Sequence, residues 1–114
     1  MATFVSWNCR GFKNKSMELR NLVNKHRPIC IALQETDKHN IRHYKIFSKH
    51  HIDNRASGGV AILAASDIPS IPLTLNTNLQ AVAIHIQTQS LVTVCSLYLP
   101  PSERVNQIEL NNLV

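Results

Sequence analysis

The sequence predicts a mixed α/β domain, and three observations carry that reading. An apolar, β-branched run from Ile29 to Leu33 is too short for a helix and fits a strand covered on both faces. It is the last member of a strand, helix, strand succession. Further on, Leu79 to Gln87 and Leu91 to Leu99 are two β-rich runs parted by Thr88-Gln89-Ser90, the pattern of an antiparallel hairpin.

Phe4 to Cys9 has the β-branched and aromatic content of the first strand, with Gly11 supplying the turn that ends it. Ser16 then caps a helix running to Arg27. Leu19, Leu22, Val23 and His26 share one of its faces, Glu18 lies in its first turn, and Lys25, His26 and Arg27 lie in its last. Pro28 closes it. A strand over Ile29–Gln34 follows, so the crossover makes the two strands parallel and puts both carboxyl ends at one edge of the sheet. Asn8 and Glu35 are then expected side by side, at the edge where open α/β sheets bind ligands.

Residues 37–55 are polar, basic and rich in histidine, interrupted by Tyr44, Ile46 and Phe47, which fit a short strand. His39, His43, His50 and His51 match no zinc-site spacing, and no cysteine is nearby. Gly58-Gly59 opens a strand over Val60–Ala65, without the pattern of a phosphate-binding glycine loop. Ser66 to Pro72 reads as a loop broken by Pro69 and Pro72. In the last β-rich run, Val92, Val94, Ser96 and Tyr98 point one way, and Leu91, Thr93, Cys95, Leu97 and Leu99 the other. A helical pattern through Val105, Ile108, Leu110 and Leu113 follows Pro100-Pro101.

At 114 residues the chain is long enough for one core, and its 44% apolar content argues against disorder. No apolar run approaches a membrane span, and no basic-then-apolar leader opens the chain, which implies an intracellular protein with no membrane partner. Cys9, Cys30 and Cys95 lie in or at the end of apolar runs and are expected to be buried, reduced thiols. Charge is the sharper signal. Residues 1–55 hold eleven of the twelve Lys and Arg and four of the seven acids, a balance of +7; the remainder holds one base and three acids, a balance of −2. A basic half on an ordinary domain fits a polyanionic partner, nucleic acid first and an anionic membrane surface second.

Four segments together resemble a known family. Ser6-Trp7-Asn8-Cys9-Arg10-Gly11, Ile31-Ala32-Leu33-Gln34-Glu35-Thr36, Gly58-Gly59-Val60-Ala61-Ile62-Leu63 and Ser96-Leu97-Tyr98-Leu99-Pro100-Pro101 occur in the order and approximate spacing of the endonuclease/exonuclease/phosphatase superfamily. The likeness is greatest to the AP-endonuclease-like domain that opens the polyprotein of jockey-type non-LTR retrotransposons, and it runs along essentially the whole chain.

The resemblance implies a deoxyribonuclease I-like sandwich of two β-sheets flanked by helices, with residues 1–114 as the N-terminal portion of one such domain. It implies a Mg²⁺-dependent DNA endonuclease, with Mn²⁺ as a possible substitute, in which Glu35 is the metal ligand. Asn8 then helps to arrange the metal and phosphate, and Tyr98 stands near the scissile phosphate. Arg10, Lys13 and Lys15 are the expected nucleic-acid contacts, together with the basic stretch 38–55. DNA is the implied partner, the rest of the endonuclease domain and a reverse transcriptase are expected in the full-length protein, and nuclear action is implied by the family. A Gly-Asp-Phe-Asn type motif and a late Ser-Asp-His type ending, which activate water and complete the metal site in the family, are absent from these residues. The resemblance therefore implies a chain inactive by itself. The alternatives are a truncated relic with weak nucleic-acid binding, or a repair endonuclease or phosphatase of the same superfamily.

Overall fold

The computed structural model describes residues 3–8, 15–34, 41–49, 59–77 and 79–98. Among these residues, seven strands and one helix follow in the order β1 (Phe4–Asn8), α1 (Lys15–His26), β2 (Cys30–Gln34), β3 (Tyr44–Lys49), β4 (Val60–Ala65), β5 (Ser70–Leu73), β6 (Gln80–Gln87) and β7 (Leu91–Tyr98). They form a four-stranded sheet of order β1-β2-β4-β3 and a three-stranded sheet of order β5-β6-β7. The strand, helix, strand unit read from the sequence is present, with β1 and β2 parallel and Asn8 in register with Gln34.

Burial explains why β2 and β4 are apolar without alternation. Cys30 to Leu33 and Val60 to Ala64 are buried throughout, because these central strands are covered on both faces. One face carries Ile31, Leu33, Ala61 and Leu63, which pack with Leu19, Leu22 and Val23 of α1 and with Val5, Trp7 and Tyr44. The other carries Cys30, Ile62 and Ala64, which meet Ile84 and Ile86 of the second sheet, with Phe47, Val82, Val92 and Val94 at the margin. The layers are thus helix, sheet, sheet. Burying each large aliphatic side chain contributes roughly 1.5–3 kcal/mol, so these two clusters dominate the stability.

Several details depart from the sequence reading. The helix begins at Lys15, which places Ser16 inside the first turn rather than at the cap, and His26 is exposed while Leu19 anchors the packed face. The helix ends at His26 because Arg27 takes a left-handed backbone (φ 43°) and donates its N–H to the Val23 carbonyl at 2.8 Å. A non-glycine residue in that conformation costs about 1–2 kcal/mol. The stretch read as a loop, Ser66 to Pro72, contains the start of β5. Proline is tolerated there because β5 is an edge strand, where a missing N–H donor need not break a ladder. Cys30 is buried as expected, but Cys95 is exposed, since it lies on the face of β7 turned away from the first sheet.

Candidate active site

Two parallel strands and their antiparallel neighbour bring one row of side chains to the same edge. Register places Asn8 beside Gln34, Gln34 beside Val60, and Val60 beside Lys49. In the second sheet, Tyr98 ends β7 opposite Gln80. Asn8 and Tyr98, two of the residues singled out from sequence, line one cleft of about 500 Å³ together with Ser6 and Gln34. Glu35 follows Gln34 directly and lies outside the described residues, as do Arg10 and Lys13. Lys15 opens α1.

Gln34 and Ser96 are the residues that sequence reasoning passed over. Ser96 is almost fully buried (1% exposed); its hydroxyl donates to the Leu33 carbonyl at 2.8 Å and accepts from Gln34 Nε2 at 3.0 Å. This pair ties the end of β2 to β7 and so fixes the spacing between Asn8 and Tyr98. The alternation in β7 grouped Ser96 with Val92, Val94 and Tyr98 without telling which face is inward, and its partner Gln34 lies 62 residues away. Lys49 makes a second tie at this edge. Its ammonium donates to the carbonyls of Leu79 at 2.8 Å and Thr77 at 3.4 Å, so this cation serves the inter-sheet contact.

The chemistry of the cleft is that of neutral oxygen and nitrogen groups. An amide at Asn8 and a phenol at Tyr98 can donate to phosphate oxygens, and the Gln34 amide nitrogen is already committed to Ser96. Outside the cleft lining, Gln80, opposite Tyr98, holds a buried Oε1 with no hydrogen-bond partner among the described residues. Such oxygens suit a hard cation such as Mg²⁺, which takes few protein ligands and keeps several waters. Among the described residues no three His, Cys, Asp or Glu side chains converge, and Glu35 lies outside them. Cys9 lies outside the described residues, and neither described thiol suits nucleophilic chemistry. Burial pushes Cys30 up to about 11, and partial burial of the thiol raises Cys95 as well.

Comparison with known proteins agrees with this architecture. The solved endonuclease domain of TRAS1, a telomere-specific non-LTR retrotransposon, superposes with a TM-score of 0.75 at 22% identity, over 88% of this chain and 47% of that domain. The fold is therefore of the deoxyribonuclease I-like two-sheet type. The RNA-directed DNA polymerase from mobile element jockey of Drosophila melanogaster is 34% identical over 106 residues, which cover 86% of this chain and 12% of that protein. The chain thus spans only a small share of its curated relative and about half of the solved domain. Residues 5–112 match the Endonuclease/Exonuclease/phosphatase family. With nearly the whole sequence inside that match, the chain is a member of the endonuclease/exonuclease/phosphatase family.

Proposed function

We propose that these residues form the N-terminal portion of a Mg²⁺-dependent DNA endonuclease domain, one that nicks target DNA for a non-LTR retrotransposon. The observation that carries the reading is that Asn8, Gln34 and Tyr98 line one cleft at the carboxyl edge of β1 and β2, with Glu35 next after Gln34 in sequence, in a chain of the endonuclease/exonuclease/phosphatase family. Glu35 would hold the cation, with Asn8 beside it. The bound ion supplies charge neutralisation at the phosphate during displacement.

The chain's own residues have separate tasks in this reading. Asn8 donates from its amide to a non-bridging phosphate oxygen and fixes the orientation of the strand. Tyr98 donates its phenolic proton to the same group, where negative charge grows in the transition state. Ser96 and Gln34 hold the two sheets at the separation that lets both reach one phosphate. In-line attack also needs a water activated on the far side of the phosphate, and the family's residues for that lie in the Gly-Asp-Phe-Asn and Ser-Asp-His type motifs.

Nicking of supercoiled plasmid tests the proposal. The 114-residue chain should leave plasmid intact with Mg²⁺ or Mn²⁺, and the longer polypeptide carrying the remaining motifs should nick it. In that longer protein Glu35→Gln should lower the rate by at least roughly 100-fold, the scale of losing an electrostatic stabiliser, with little change in DNA affinity. Nicking by the 114 residues alone, abolished by the same substitution, would show that a base within them is at work.

A further inference from the structure

At the opposite edge of the four-stranded sheet lies a larger groove, of about 1190 Å³. The exit of α1, the amino end of β2, the turn before β3 and the turn after β4 surround it. Three exposed guanidiniums line it: Arg20 and Arg27, seven residues apart along one face of α1 and its exit, and Arg42 from the turn before β3. A single carboxylate, Asp67, stands against them in the lining.

A second observation concerns the backbone. Among the described residues, only Arg27 (φ 43°) and His43 (φ 73°) are non-glycine residues in the left-handed region. Glycine suits both places, one a helix exit and the other a turn closed by the Tyr44 N–H on the Ile41 carbonyl. Both are occupied instead by side chains that can carry positive charge, and both line this one groove. Unfavoured backbone conformations that cluster around a cavity point to side chains kept for a use.

We propose that this groove binds the phosphodiester backbone of a single nucleic-acid strand, at a site separate from the cleft of Asn8 and Tyr98. Guanidinium forks match phosphate oxygens in bidentate geometry. Three of them, spread over separate segments around an open groove, suit successive phosphates of a polymer better than one isolated phosphate. The five residues of β2 separate the two edges by about 16 Å, roughly five nucleotides of one strand. A short oligonucleotide can therefore occupy the groove without reaching the cleft.

The test is fluorescence anisotropy of a labelled four-nucleotide single strand, too short to bridge the groove and the cleft, with the 114-residue chain, read as a function of NaCl. Combined Arg20→Ala, Arg27→Gly and Arg42→Ala should lower the salt slope by about 2 and the affinity at 0.1 M salt by roughly 100-fold, the effect of three lost counterion-releasing contacts. Arg27→Gly alone should weaken binding several-fold with an unchanged or higher melting midpoint, because glycine relieves the left-handed backbone; the loss is then not unfolding. Lys25→Ala, an exposed cation on α1 outside the groove lining, should cost far less than Arg27→Gly. Equal losses for Lys25 and the groove arginines would overturn the proposal in favour of a diffuse basic surface. Displacement of the strand by a mononucleotide at similar concentration would overturn it in favour of a single-phosphate site. Because binding is the readout, failure here leaves the nuclease reading untouched, and failure of plasmid nicking leaves this site untouched.

Discussion

Replacing Ser96 by alanine removes one oxygen atom and tests how the two sheets are held in register at the candidate site. The hydroxyl is buried, donates to the Leu33 carbonyl and accepts from Gln34 Nε2. Each bond is worth a net ~0.5–1.5 kcal/mol, and the half-buried Gln34 amide loses its partner, so Ser96→Ala should destabilise by about 2 kcal/mol. Gln34→Ala should cost less, about 1 kcal/mol, since it leaves the Ser96 to Leu33 bond intact. The two changes touch one network, and the double variant should therefore fall short of their sum. Urea unfolding can be followed through Trp7, the chain's only tryptophan, which packs against the core cluster under α1. A Ser96→Ala midpoint within about 0.5 kcal/mol of the parent would refute the reasoning, as would strict additivity with Gln34→Ala.

Ile62 is fully buried between the sheets, and Ile62→Ala should destabilise by roughly 2–5 kcal/mol, measured in the same urea titration. The Tyr44 hydroxyl donates to the Pro28 carbonyl beside the groove, so Tyr44→Phe should cost about 1 kcal/mol by thermal denaturation. Cys30 has its pKa raised by burial from 9.0 to about 11, a shift that favours the folded state below pH 9 and is lost as pH rises through 11; stability should fall across that window, and Cys30→Ala should remove the part of the fall due to this thiol. In a Cys9→Ser background, a thiol reagent should modify exposed Cys95 quickly and Cys30 only on unfolding. Ile71 (60% exposed) and Leu91 (57%) lie on the face of the second sheet turned away from the first, so the 114-residue chain should self-associate with rising concentration, and Ile71→Lys with Leu91→Lys should reduce that in sedimentation velocity.

What the sequence revealed follows from how local each signal was. β2 and β4 were legible because strands buried on both faces are apolar without a break, and β4 begins and ends where its apolar run does. The parallel pairing of β1 with β2 followed from the intervening helix, a rule of connection rather than of side chains. β5 was missed because Pro69, just before it, and Pro72 within it read as breakers; only the ladder with β6 shows that Pro72 stands on an edge. The Gln34 to Ser96 bond was invisible for a different reason. Neither residue is unusual in its own segment, and the contact exists only once two sheets have packed.

Charge was the signal most easily misread. The +7 of the first 55 residues suggested one basic surface facing one polyanion. The fold divides it. Lys49 reaches the candidate cleavage edge but is spent on two backbone carbonyls, and the described lining of the Asn8 and Tyr98 cleft holds no cation. Arg20, Arg27 and Arg42 instead converge on the opposite edge. Net charge sets the strength of long-range attraction, whereas the topology decides which edge the attracted strand meets. Alternation along a parallel pair sends one connection out at the carboxyl edge and the next back in at the amino edge. A basic residue in the turn before β3 therefore joins those at the exit of α1, although they are distant in sequence from one another and from the cleft. A nucleic-acid strand drawn to this protein would then be gripped at one edge by guanidiniums and presented at the other to neutral amide and phenol donors.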